Sequence, residues 1–259
     1  MSLVLNGINK DEFVQTELLP TANRRLARSL AKEPPSEPSA ASYHWQFVGG
    51  HRQRVGLLNY QQERPYEEIL EHFRPACDAL ARKYELRPTL SGGLMPWHLI
   101  KDMSFAVAFG DGAVRDRFAR LPSTLYATED PEDVTSRDYL DALRAVLRGE
   151  PRDMTAILEA CSRRTASRFE TLHIRPLVRC LSAVLAGDGP GLDSSLQECL
   201  RRHLKDVKGE LRTDVEGFMV IDALVHVRLA LERGIPTTVE SPYLPISLVE
   251  RAWKTTPSS

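Results

Sequence analysis

The sequence predicts an all-α protein of stacked helical hairpins, either α-solenoid-like or an irregular helical bundle. Three observations lead there. Apolar residues recur three or four apart along most of the chain, which places them on one face of successive helices. Runs with a period of two, the mark of half-buried strands, are almost absent. A Gly-acid pair recurs at Gly110-Asp111, Gly149-Glu150 and Gly187-Asp188, with the glycines 39 and 38 residues apart. A fixed period of about forty marks helical hairpins laid side by side. In each copy the glycine closes one helix and the acid sits near the positive N-terminal end of the next.

Taken in order, residues 1–32 read as an N-terminal helical arm, with Leu18 and Leu19 before Pro20 and Leu26 and Leu30 after it. Residues 33–42, rich in Pro and Ser, have linker composition. Residues 43–259 then form a single helical body. Its first helix carries Trp45, Phe47, Val48, Val55 and Leu57, with Gly49-Gly50 inside it as a local weakness or a close backbone approach. A second follows from Pro65 with Ile69, Phe73, Cys77, Leu80 and Tyr84 on one face and Pro75 as a kink. The same spacing returns in Leu99 to Val107, Leu140 to Leu147, Met154 to Cys161, Ile174 to Leu185 and Leu192 to Leu200. A nearly all-apolar helix is expected over Phe218 to Leu231, closed by Gly234 and stopped by Pro236. An extended stretch through Val239 leads to a short last helix with Leu248, Val249 and Trp253 on its apolar face.

Composition narrows the function. A chain of 259 residues with 42% hydrophobic and 27% charged residues can bury a sizeable core without staples. The formal net charge of -1 recommends neither nucleic acid nor an anionic membrane as a partner. Cys77, Cys161, Cys180 and Cys199 lie far apart at apolar helical positions and read as small buried hydrophobes of a reduced protein. With no basic region and apolar core over Met1 to Lys10, and no apolar run of membrane-spanning length, the expected location is the cytoplasm.

No catalytic, cofactor or metal constellation is expected. Gly110-Asp-Gly112 and Gly187-Asp-Gly-Pro-Gly191 follow no strand and read as turns between helices, not phosphate loops. None of the seven histidines has zinc-ligand spacing. Asp222 and His226, four apart, could orient an imidazole for acid-base work, but an ordinary i,i+4 hydrogen-bonded pair accounts for them more simply. The doublets Arg24-Arg25, Arg163-Arg164 and Arg201-Arg202 read as solvated helix faces. The concentrated charge is acidic: Glu129, Asp130, Glu132 and Asp133 around Pro131 form a loop between helices. They are read either as helix-capping carboxylates or as a negative prong that meets a basic partner.

The C-terminal segment has the character of a signature. Val239-Glu240-Ser241, Tyr243-Leu244-Pro245 and Leu248-Val249-Glu250-Arg251-Ala252-Trp253 resemble the ending of the immunity protein 49 family, bacterial antidotes to secreted polymorphic toxins. The resemblance implies a non-enzymatic protein whose partner is a cognate toxin domain, encoded by an adjacent gene, that it holds blocked or distorted. It carries over no toxin-contacting residues, and Glu240, Tyr243, Pro245 and Trp253 are expected to serve the fold. The arm and break before Tyr43 belong to no part of it. Two other classes stay open, a helical scaffold unconnected with toxins and an enzymatic antidote built around Asp222 and His226.

Overall fold

The computed structural model describes residues 14–86, 96–126, 134–150, 169–211 and 214–255. Among the described residues there are ten α-helices and no strand. They are α1 (Leu19–Leu30), α2 (Pro38–Gln61), α3 (Tyr66–Glu85), α4 (Pro96–Phe109), α5 (Gly112–Ala119), α6 (Val134–Leu147), α7 (Arg175–Ala186), α8 (Gly189–Lys208), α9 (Leu224–Glu232) and α10 (Ile246–Lys254). π turns at Val14–Leu18 and Glu170–Ile174 lead into α1 and α7. The helix expected around Met154 to Cys161 lies outside the described residues.

Local chemistry sets most boundaries. Pro20 occupies the first turn of α1, where the π turn Val14–Leu18 gives way to α-helix and its missing N–H costs little. Residues 33–42 have linker composition, yet only the part up to Glu37 lies outside helix. Pro38 starts α2, and the Glu37 carboxylate caps it by accepting from the Ser39 and Ala40 amides at 2.9 and 2.6 Å. Gly187 and Gly234 sit at φ +69° and +65° and close α7 and α9 as the sequence predicts, and Gly149 behaves likewise after α6. Gly110 does not take that conformation. The acids that follow do act as caps: Asp111 accepts from the Val114 amide at 2.8 Å and Asp188 from the Gly191 amide at 2.9 Å.

The hairpins are present, with α2 against α3 and α7 against α8, but they do not stack in a line. α4 is the axis. From Met103 to Phe109 every residue of α4 is buried on all sides, and the helix packs against α3, α5, α6, α9 and α10. An α-solenoid repeat touches only its neighbours, so the architecture is the irregular bundle. The core is one continuous cluster that runs from Ala22 and Leu26 of α1 to Ala252 of α10. Cys77, Cys180 and Cys199 are free and buried in it, and Cys161 lies outside the described residues.

The expected helix over Phe218 to Leu231 is buried throughout, but only its second half is α-helical. Val215–Phe218 and Ile221–Ala223 are 3₁₀ turns, and α9 begins at Leu224. Partners distant in sequence take the backbone groups that a longer helix would have used. The Val220 amide donates to the Tyr243 carbonyl at 2.9 Å. Ser104 of α4 donates to the Asp222 carbonyl at 2.7 Å and accepts from the Val225 amide at 3.2 Å, so a hydroxyl from another helix caps α9.

Candidate functional site

The acidic loop residues Glu129, Asp130, Glu132 and Asp133 lie outside the described residues, but both flanks of the loop are fixed. Leu125 and Tyr126 are buried on one side, and α6 follows on the other. The Tyr126 hydroxyl donates to Asp141 of α6 at 2.5 Å, the Arg144 guanidinium bonds the same hydroxyl, and its carbon lies 5.6 Å from the Tyr126 ring centre. Burial and the Asp141 carboxylate push the Tyr126 phenol well above its usual range. This knot joins Tyr126 to α6 across the loop.

Asp222 and His226 do not form the pair that their spacing allows. Asp222 sits in the 3₁₀ turn before α9 and faces Arg202 of α8 at 2.6 Å. His226 is fully buried: its Nε2 lies 3.0 Å from the Tyr139 hydroxyl and its Nδ1 3.3 Å from the Ala223 carbonyl. A carbonyl only accepts, so Nδ1 carries the proton and Nε2 accepts from Tyr139. Burial pushes the imidazole down to about 4, which keeps it neutral near pH 7. Both the orienting pair and the plain i,i+4 hydrogen bond are therefore replaced by tertiary partners that periodicity does not reveal. The arginine doublet divides in the same way, with Arg201 exposed and Arg202 buried.

The Arg202–Asp222 pair forms part of the wall of a charged cleft of about 200 Å³. Trp97 and Lys101 come from the first turns of α4, His173 from the turn before α7, His203 and Asp206 from α8, and Glu216 from the 3₁₀ turn. The 2.6 Å Arg202–Asp222 contact is an ion pair without hydrogen-bond alignment, and Arg202 Nε and Nη1 have no hydrogen-bond partner among the described residues. Burial opposes both charges, yet each stabilises the other: Arg202 is held firmly protonated and Asp222 below the usual carboxylate range. Lys101 pairs with Glu216. Trp97 meets Phe169 and His173 edge-on at 5.3 Å.

The cleft's chemistry is that of a polar junction. Burial pushes His173 down to about 4 and also lowers His203, whose Nε2 donates to the Gly217 carbonyl at 3.0 Å. Burial keeps the His173 imidazole neutral near pH 7, and among the described residues no serine, threonine or cysteine lines the cleft. Asp206 lies 3.6 Å from the Arg202 guanidinium in a second ion pair, and burial raises its carboxyl. Among the described residues no group of three His, Cys, Asp or Glu is placed to hold a metal ion.

Of the C-terminal signature residues, Tyr243 packs beside this cleft and Trp253 away from it. Tyr243 places its ring edge-on to His203 at 5.4 Å, and Trp253 lies 5.9 Å from the Arg228 guanidinium. Pro245 is the residue before α10 and is buried. Glu240 is exposed, so it is the one of the four with no visible part in packing.

In comparisons with known proteins, the family model described as Immunity protein 49 matches residues 39–248. It reaches far upstream of the C-terminal segment, begins just inside α2, and leaves out α1 and most of α10. No curated protein and no solved structure matches the chain.

Proposed function

The chain belongs to the Immunity protein 49 family, and from that premise we propose that it is an antidote that neutralises a cognate bacterial toxin by binding it in a stoichiometric complex. The single observation that carries this reading is the family match over residues 39–248, from α2 to the start of α10. The interior is consistent with it. Among the described residues several buried or half-buried charged groups are paired with one another: Lys83 and Tyr84 with Asp102, Arg202 with Asp222, and Arg115 and Arg228 with Glu232. Such a scaffold leaves recognition to its surface. We assign part of that recognition to Glu129, Asp130, Glu132 and Asp133, which would meet a basic surface around the toxin's active site and speed encounter.

The test is co-expression with the product of the toxin gene encoded alongside it. Growth rescue together with a complex that survives gel filtration is the expected result. Rescue without a complex would instead mark an enzymatic antidote, and no rescue would favour a scaffold unconnected with toxins. Replacing the four loop carboxylates with Ala should slow association and flatten its salt dependence, and unchanged kinetics would remove the loop from the contact.

A further inference from the structure

The two N-terminal helices carry a surface unlike the rest of the chain. Acidic residues outnumber basic ones by 35 to 34 overall, yet α1 and α2 contain no Asp or Glu at all. They carry Arg24, Arg25, Arg28, Arg52 and Arg54. Elsewhere many arginines are matched: Arg117 reaches Asp78 and Glu85, Arg148 reaches Glu150 and Arg251 reaches Glu67, while Arg74, Arg201 and Arg233, in no ion pair among the described residues, are scattered over separate helices or their ends. Among the described residues none of the five α1–α2 arginines is in an ion pair, and Arg24 bonds only the Thr21 hydroxyl beside it.

Beside this unmatched charge lies apolar surface. Tyr43 and Phe47 on α2 are 50% and 57% exposed, and Leu30 at the end of α1 is 49% exposed. Tyr43, Phe47 and His51 are four apart, so they form one ridge along α2. Phe47 stacks on His51 at 6.2 Å, and the Ser29 hydroxyl meets His51 Nδ1 at 3.0 Å, which sets the end of α1 against the ridge. Burial lowers the protonation of the same imidazole, and the charges of Arg25 and Arg54 add to the effect. An aromatic centre rimmed by guanidinium groups is the composition of an interface hot spot.

We propose that the α1–α2 face, centred on Phe47 and His51 and rimmed by Arg25 and Arg54, docks an acidic surface of the partner protein. It rests on the antidote reading and names a second contact of opposite charge to the acidic loop. A partner's carboxylates would relieve the repulsion among the five arginines, and its apolar groups would cover Phe47, Tyr43 and Leu30. A protein fits better than nucleic acid. Leu30 and Phe47 gain nothing from phosphates, and a chain of net charge -1 lacks the long-range field that draws a polyanion. Half of this face, α1, lies outside the family match, which begins inside α2.

The experiment titrates the full chain and two variants, Phe47→Ala and the double charge reversal Arg25→Glu with Arg54→Glu, against the toxin identified by growth rescue, at low and high salt. Two further probes are poly-L-glutamate and a random-sequence DNA duplex. All substituted side chains are at least partly exposed, so melting temperature and helical content should stay at wild type. Phe47→Ala should weaken toxin binding about tenfold or more with its salt dependence retained, whereas the charge reversal should weaken it about tenfold or more at low salt and flatten the salt dependence. If rescue holds and both variants bind as wild type, this surface is wrong while the antidote reading stands. If no toxin is neutralised, the antidote reading fails, and poly-L-glutamate binding lost on charge reversal still supports an acidic protein partner. Duplex binding lost in its place, or no binding of either probe, overturns the proposal.

Discussion

Two glycines side by side in α2 have opposite structural roles. A Cβ at Gly49 would lie 3.1 Å from Leu80 of α3, whereas at Gly50 it would meet nothing within 4 Å. One turn and a half further on, a Cβ at Gly56 would lie 2.3 Å from the Phe73 ring. That ring cannot swing aside, because Phe105 and Phe109 hold it at 4.8 and 4.7 Å. Gly56→Ala should therefore destabilise by about 1–3 kcal/mol through overpacking, partly offset by helix propensity, while Gly50→Ala should stabilise by up to about 1 kcal/mol. Urea midpoints of the two variants check this, and equal shifts in either direction would refute it. A Gly-Gly pair inside a helix means a weakness or a close approach, and here Gly50 is the first and Gly49 the second. The choice, and Gly56 altogether, depends on which α3 residue lies opposite, which no periodicity encodes. His226 supplies a second prediction. Its folded value of about 4 lies below the ordinary 6.5, so between those values the unfolded chain binds the extra proton and stability rises with pH. The His226 contribution is intact above pH 6.5 and lost progressively down to about pH 4. On acidification from pH 7.5 to 5 the native state should lose about 2 kcal/mol from this residue, and His226→Gln should lose correspondingly less. Denaturation at both pH values measures the difference.

At the scale of elements, amphipathic helices and their stops were the legible part. α3, α4, α6, α7 and α8 stand where the three-to-four spacing puts them, and Gly187 and Gly234 end helices as read. Polar partners across elements were not legible. Lys83 is 4% exposed, and its ammonium meets Asp102 of α4 at 2.7 Å, with the Tyr84 hydroxyl on the same oxygen at 2.8 Å. Nothing in the α3 pattern distinguishes this lysine from a solvated one. Asp102→Ala would leave a buried ammonium unpaired and should cost about 3–5 kcal/mol, while Lys83→Met combined with it should restore much of that loss. If the double variant is no more stable than the single, the ammonium is not the source of the cost. The C-terminal segment shows the same division. Its stop, extended run and last helix are read correctly, but its anchors come from elsewhere. Asp193 of α8 takes both Thr237 and Thr238, Tyr60 of α2 donates to the Pro242 carbonyl at 2.5 Å, and Arg74 of α3 reaches Thr255. The cleft was missed for the same reason, since its charged walls arrive from four separate stretches of chain.

For the whole molecule, the Gly-acid period near forty tells of hairpins and says nothing of the central helix they surround. α4 is buried from Met103 to Phe109 because helices late in the chain return to it: Ser104 and Val225, 121 residues apart, share a hydrogen bond. Stability in a solenoid spreads from neighbour to neighbour, so its ends can fray independently. In a bundle closed around one core the ends and the centre fall together. The three tryptophans sample this well. Trp45 lies on α2 with the Arg82 guanidinium 4.6 Å from its ring, Trp97 opens α4 beside the cleft, and Trp253 ends α10 near Arg228. In three variants that each retain one tryptophan, with the other two replaced by Phe, the fluorescence transition relative to that variant's own far-ultraviolet circular dichroism should coincide in denaturant. Lower midpoints for Trp45 or Trp253 than for helix loss, with Trp97 lagging, would mean that the terminal elements unfold on their own. The molecule would then behave as the linear array that its repeat spacing suggests, and the rigid platform assumed for its partner surfaces would be lost.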